Sequence, residues 1–170
     1  MIELLILHEL SKKVLTMYGI SKEIRKEFSV LMIPSYGTIK PALRRIETAG
    51  CVKTRKSMTS GGRPSTFYSI TREGVDNLKA LLLEQPQENP VQFLTKARVK
   101  LACAEILDAG ERKQLFGLLK MKCEEVMIDA KRMLESKDID FYPKMVLDNL
   151  ICEYKNFISL LEGLERAGNN

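Results

Sequence analysis

Ser35-Tyr36-Gly37-Thr38-Ile39-Lys40-Pro41-Ala42-Leu43-Arg44-Arg45-Ile46-Glu47 carries the pattern on which the fold turns. Ile39, Leu43 and Ile46 fall at i, i+4 and i+7, a spacing that aligns apolar side chains on one helix face. Ser35 stands at the natural cap position. Ala49-Gly50 ends the run, and Gly50 suits the left-handed position just past a helix C-terminus. Pro41 lies in the second turn and weakens it, which predicts an irregular first turn. Upstream, Ile2 to Leu10 is apolar on most sides, as in a helix buried between neighbours. Ile20, Ile24 and Phe28 mark an amphipathic second helix. Downstream the period changes: Cys51 to Lys56 and Ser65 to Ile70 read as two strands joined by Ser57 to Pro64. Thr71 then caps a fourth helix whose apolar set is Val75, Leu78 and Leu82. Helix, helix, helix, hairpin, helix within about 80 residues is the order of a winged helix-turn-helix.

Charge gives that frame a direction. The 170-residue chain has a net charge of +5, and residues 1–85 hold 14 Lys/Arg against 8 Asp/Glu, whereas residues 86–170 hold 13 against 14. From Ser35 to Arg72 there are eight basic residues and one acid, Glu47. A concentrated basic patch beside a neutral remainder is the footprint of a polyanion binder. The third helix would present Lys40, Arg44 and Arg45, and the hairpin Lys53, Arg55, Lys56 and Arg63. A helix fits the major groove of double-stranded DNA, and a basic ribbon beside it reaches phosphates. Thr38, Lys40 and Arg44 are therefore expected to read or approach bases. Ser35, Tyr36, Lys53, Arg55 and Lys56 are expected on phosphate, with Arg63 at the wing tip. Arg44 or Arg45 could instead pair with Glu47 or Glu84. Tyr18 and Phe67 read as core, and His8 as a buried polar residue.

The motifs Ser35 to Glu47, Gly61-Gly62-Arg63-Pro64 and Phe67-Tyr68-Ser69-Ile70-Thr71 with Gly74 together resemble the PadR family of bacterial winged-helix regulators. Thr16 to Ile24 is similar to that family's second helix through Tyr18, Ile20, Lys22 and Ile24. The resemblance covers roughly residues 2–83. It departs from the family pattern at Lys40, where an aromatic is usual, and at Thr16-Met17, where His-Gly often stands. The chain has no Trp, so a ligand grip built from tryptophans is not carried over. The resemblance implies two-fold dimers formed by C-terminal helices.

Gln85 to Pro90 reads as a turn or linker, dividing a DNA-binding domain at 1–85 from a helical dimerisation domain at 90–170. Residues 91–107 suggest a helix, and Asp108 caps a longer one to about Glu135. Lys137 to Asp140 starts a turn, and Pro143 lies near the next N-terminus. In the last helix Leu147, Leu150, Ile151, Tyr154, Phe157, Ile158, Leu161 and Leu164 repeat at steps of three and four. Such a stripe packs either on its own domain or on a second copy. A thin arm has little core of its own, so the homodimer is preferred. The fold class is thus mainly α with a small β-hairpin, an N-terminal winged helix-turn-helix followed by a C-terminal helical dimerisation arm.

Several classes are set aside. Cys51, Cys103, Cys123 and Cys152 are scattered, and one His offers no zinc pattern. The lone His has no evident nucleophile partner, and Gly61 to Pro64 lacks the Lys-Ser/Thr of a phosphate loop, so no enzyme and no cofactor are expected. Leu4 to Leu7 has acidic neighbours and no basic leader, which leaves a cytoplasmic chain without a membrane span as the expectation. The residues read as a homodimeric DNA-binding repressor on an inverted repeat. The alternative is a winged helix docking an acidic protein partner. A small-molecule effector has room in the scheme, but no polar constellation names one.

Overall fold

The computed structural model describes residues 1–58, 61–62, 64–86, 90–135 and 139–168. Its elements run α1 (Ile2–Lys12), β1 (Leu15–Thr16), α2 (Met17–Phe28), α3 (Tyr36–Thr48), β2 (Val52–Met58), β3 (Pro64–Ile70), α4 (Arg72–Leu83), α5 (Pro90–Ala102), a 3-10 turn at Ala104–Ile106, α6 (Ala109–Leu134) and α7 (Phe141–Gly168). They form two compact units. One comprises Met1–Glu84 with Leu94–Ile106, the other Gln85–Phe93 with Leu107–Asn170.

In the first unit, α1 contributes seven consecutive buried residues, Leu4 to Leu10, as befits a helix surrounded by other elements. Ile20, Ile24 and Phe28 of α2 and Ile39, Ala42, Leu43 and Ile46 of α3 are all buried. Burial of each large apolar side chain contributes about 1.5–3 kcal/mol. α3 stays helical through Pro41, so the irregular first turn is not observed. Proline this near the N-terminus removes only one intrahelical bond, to the carbonyl of Gly37. Ser35 occupies the cap position, yet its side chain makes no capping bond; its carbonyl instead accepts from Thr38 and Ile39 N–H. Gly50 takes φ +74 and ends the helix as its type permits.

Three antiparallel strands lie in the order β1-β3-β2. β1 is an addition to the expected hairpin, pairing Leu15 with Tyr68 and Thr16 with Phe67. β2 and β3 keep a continuous register from Val52–Ile70 to Met58–Pro64. The hairpin base is anchored at α4: Thr71 accepts from Gly74 N–H and donates to the Gly50 carbonyl at 2.7 Å. A Cβ at position 74 would stand 2.0 Å from the Cys51 carbonyl oxygen, so only glycine allows this approach.

In the second unit, α6 starts with a full capping box, Asp108 accepting from Glu111 N–H while the Glu111 carboxylate accepts from Asp108 N–H. α6 and α7 pack along each other. Leu115, Leu119, Cys123, Val126 and Ala130 of α6 are buried, as are Ile151, Tyr154, Phe157 and Leu161 of α7. Phe93 stacks on Tyr154 with ring centroids 6.1 Å apart. Four of the α7 residues expected to meet a second copy are therefore buried within their own chain, and Leu147, Leu150 and Ile158 are half-buried. The stripe faces α6, which is long enough to cover it. The apolar residues that α7 leaves exposed lie elsewhere, at Phe141, Tyr142, Met145, Val146, Leu160 and Leu164. The turn expected at Lys137-Asp138 lies outside the described residues, as does the middle of the Gln85–Pro90 linker.

Candidate nucleic-acid interface

α3 divides its polar residues between two sides. Lys40, Arg44 and Glu47, spaced at i, i+4 and i+7, line a cleft of about 440 Å³. Arg45 points away from it, and its guanidinium Nε donates to Glu3 Oε1 of α1 at 2.6 Å. The structure thus separates Arg45 from Lys40 and Arg44. Its partner is neither Glu47 nor Glu84 but a residue 42 positions earlier, which helix packing alone brings within reach. Glu47 accepts from the Thr54 hydroxyl of β2 at 3.1 Å, which pins α3 to the hairpin.

Alternation along the strands sorts the hairpin cations. Thr66 and Tyr68 of β3 line the same cleft. They pair with Lys56 and Thr54, so Lys56 belongs to the sheet face that meets α3. Lys53 and Arg55, one residue out of step, belong to the opposite face. There the positive charge of Lys53 helps to hold the Glu73 carboxylate below its usual range, after the larger effects of hydrogen bonds from its own backbone and from Thr71. All four residues from Lys53 to Lys56 are exposed, because β2 is an edge strand. Ser35, Tyr36, Thr38, Lys40 and Arg44 are exposed as well. The Thr38 hydroxyl donates to the Ser35 carbonyl at 2.8 Å. Arg63 lies outside the described residues.

The cleft's third wall comes from Thr16, Met17 and Tyr18 at the start of α2. Tyr18 is 68% exposed, so its assignment to the core does not hold. It occupies the first turn of α2, where Thr16 accepts from Gly19 N–H and no acidic residue intervenes. A helix N-terminus of this kind favours anions. Tyr68 sits half-buried at the back of the cleft. Burial pushes its phenol above the usual range, Glu47 adds to the shift and Arg44 opposes it. Tyr18 reads as core and Tyr68 only as a strand residue, because the sequence does not reveal that β1 brings residues 15–16 beside β3. Phe67 is half-buried and His8 buried.

Two cations from one helix, an exposed tyrosine and an acid-free helix start line one concave surface together with Glu47, and a third cation, Lys56, lies on the sheet face that borders it. That set can grip a polyanion backbone while Arg44 or Lys40 probes base edges. Among the described residues, no helix is long and apolar enough to cross a membrane.

Residues 6–80 match the family described as transcriptional regulator PadR-like. A PadR family transcription regulator from Clostridium difficile is 33% identical over 46% of this chain and 80% of its own, with a TM-score of 0.42. Bacillus subtilis PadR in complex with operator DNA is 23% identical, with 97% of each chain covered and a TM-score of 0.46. The same protein in complex with p-coumaric acid is 22% identical, with 99% of this chain and 98% of that one covered and a TM-score of 0.42. No curated protein matches the chain.

Proposed function

The chain belongs to the PadR-like transcriptional regulator family, and from that premise we propose that it is a cytoplasmic homodimeric repressor binding an inverted-repeat operator in double-stranded DNA. α3 enters the major groove with Lys40 and Arg44 toward bases. Lys56, Tyr18, Tyr36, Ser35 and the start of α2 hold phosphates along the cleft, and Lys53, Arg55 and Arg63 serve the flanking backbone. Thr38 approaches bases through its methyl group, since its hydroxyl is engaged. Arg45 acts as a brace between α3 and α1. The single observation that carries this reading is the convergence of Lys40, Arg44 and Tyr18 on one concave face. The DNA-binding domain ends in sequence at the 85–90 linker, with Leu94–Ile106 belonging to the same compact unit.

The second copy docks on the apolar residues that α6 leaves uncovered. Tyr142, Val146, Leu160 and Leu164 fall within about 40° of one another around α7, and all four are exposed. A two-fold pairing of such arms sets two winged helices on successive half-sites.

The test is selection of bound sequences from random duplex, followed by affinity at several salt concentrations. The expected log–log slope is about −0.9 per phosphate neutralised. Arg44→Ala should lower operator affinity by about 1–3 kcal/mol and relax preference at one position per half-site. Equal losses on operator and random duplex would confine Arg44 to phosphate. A chain that binds no duplex at low salt, yet captures an acidic protein, would overturn the reading.

A further inference from the structure

His8 and Glu9 of α1 and Glu27 of α2 bring one imidazole nitrogen and two carboxylates together, with the three donor atoms within 4.8 Å of one another. His8 is 5% exposed and Glu9 0%. His8 Nδ1 and both Glu9 carboxylate oxygens have no hydrogen-bond partner, while His8 Nε2 lies 3.9 Å from Glu27 Oε2. Lys12 stands at the edge of this group, with its ammonium on Glu27 and 3.7 Å from Glu9 Oε1. A buried carboxylate without a donor costs several kcal/mol. One ammonium at 3.7 Å from Glu9 Oε1 offsets that only in part, so the centre of the cluster holds unpartnered ligand atoms from both His8 and Glu9.

We propose that His8, Glu9 and Glu27 form a binding site for one first-row divalent transition-metal cation, which clamps α1 to α2. An imidazole with two carboxylates is the donor set such ions favour, whereas Mg²⁺ and Ca²⁺ call for all-oxygen shells. Bonds of about 2.1 Å to a tetrahedral ion place ligands roughly 3.4 Å apart, so the donors need to close by little more than an ångström. Glu27 and Lys12, with side chains 36% and 35% exposed, have the freedom to do so, Lys12 swinging outward as the ion takes its place.

The experiment is calorimetric titration and thermal melting of the untagged full chain with Zn²⁺ and Co²⁺, in a Cys152→Ser background that removes the exposed thiol. One ion per chain is expected, with Tm raised on the order of 10 °C at 100-fold excess over Kd. His8→Gln and Glu9→Gln should abolish both effects. Glu27→Gln, at a half-exposed position that leaves the core intact, should weaken binding at least tenfold. Lys12→Met should tighten it by at least tenfold, because a competing cation is gone. The proposal fails if the two ions bind neither the parent chain nor Lys12→Met, if Glu27→Gln binds as tightly as the parent, or if Mg²⁺ binds equally well.

Discussion

α3 and α7 are read by the same three-and-four spacing, yet the structure uses them differently. The four aliphatic residues of α3, Ile39, Ala42, Leu43 and Ile46, are all buried, which leaves its polar side for the cleft. α7 has more apolar surface than a single neighbour can cover. Ile151, Tyr154, Phe157 and Leu161 are buried, while Val146 is 66% and Leu160 47% exposed. The periodicity of a helix therefore states that a face will be covered and leaves open what covers it. An apolar surplus beyond one stripe is the mark of a helix with a second client.

The strongest way to break this contrast is Tyr154→Ala. Removing a buried ring stacked on Phe93 should cost about 3–5 kcal/mol, measured as a fall in the urea midpoint at any protein concentration. A cost below about 1 kcal/mol would mean that α7 does not depend on α6. Next is the double change Val146→Asp with Leu160→Asp, expected to yield monomers in sedimentation while leaving helix content intact. Persistent dimers would put the second client elsewhere on the arm. A smaller effect separates the two faces of β2. Lys56→Ala should reduce the salt slope of duplex binding by about 0.9, one phosphate's worth, and Lys53→Ala by less. Equal reductions would mean that the duplex wraps both faces. Last, native chains should expose one fast-reacting thiol, Cys152. Cys51, Cys103 and Cys123 are buried, and burial pushes Cys103 and Cys123 up to about 12, so their reactive thiolate forms are suppressed. Four thiols should react after denaturation, and more than one fast thiol in the native chain would show that the cores open.

The winged-helix order was legible because α2, α3 and α4 show a helical period, and Gly50 ends α3 and Thr71 starts α4 as their residue types suggest, as Asp108 does for α6 in the arm. The basic character of the cleft was legible for a similar reason, since charge is a property of composition. What escaped is whatever depends on tertiary proximity. β1 is two residues long, too short for alternation to register. Tyr18 is aromatic and reads as core, but a helix start beside a sheet edge leaves it in solvent. The Arg45–Glu3 pair spans 42 residues, and His8, Glu9 and Glu27 converge only once α1 lies against α2. Neither has a local signature.

Among the described residues β2 is an outer strand of the sheet, so one row of its backbone N–H and C=O groups faces outward, a ready template for another chain to zip onto. Lys53, Arg55 and Lys56 line that border, and like charges on an edge strand oppose the joining of two such ribbons. The charges suited to a polyanion thus also guard against aggregation, with the consequence that neutralising all three should yield a chain that precipitates as well as one that releases its duplex.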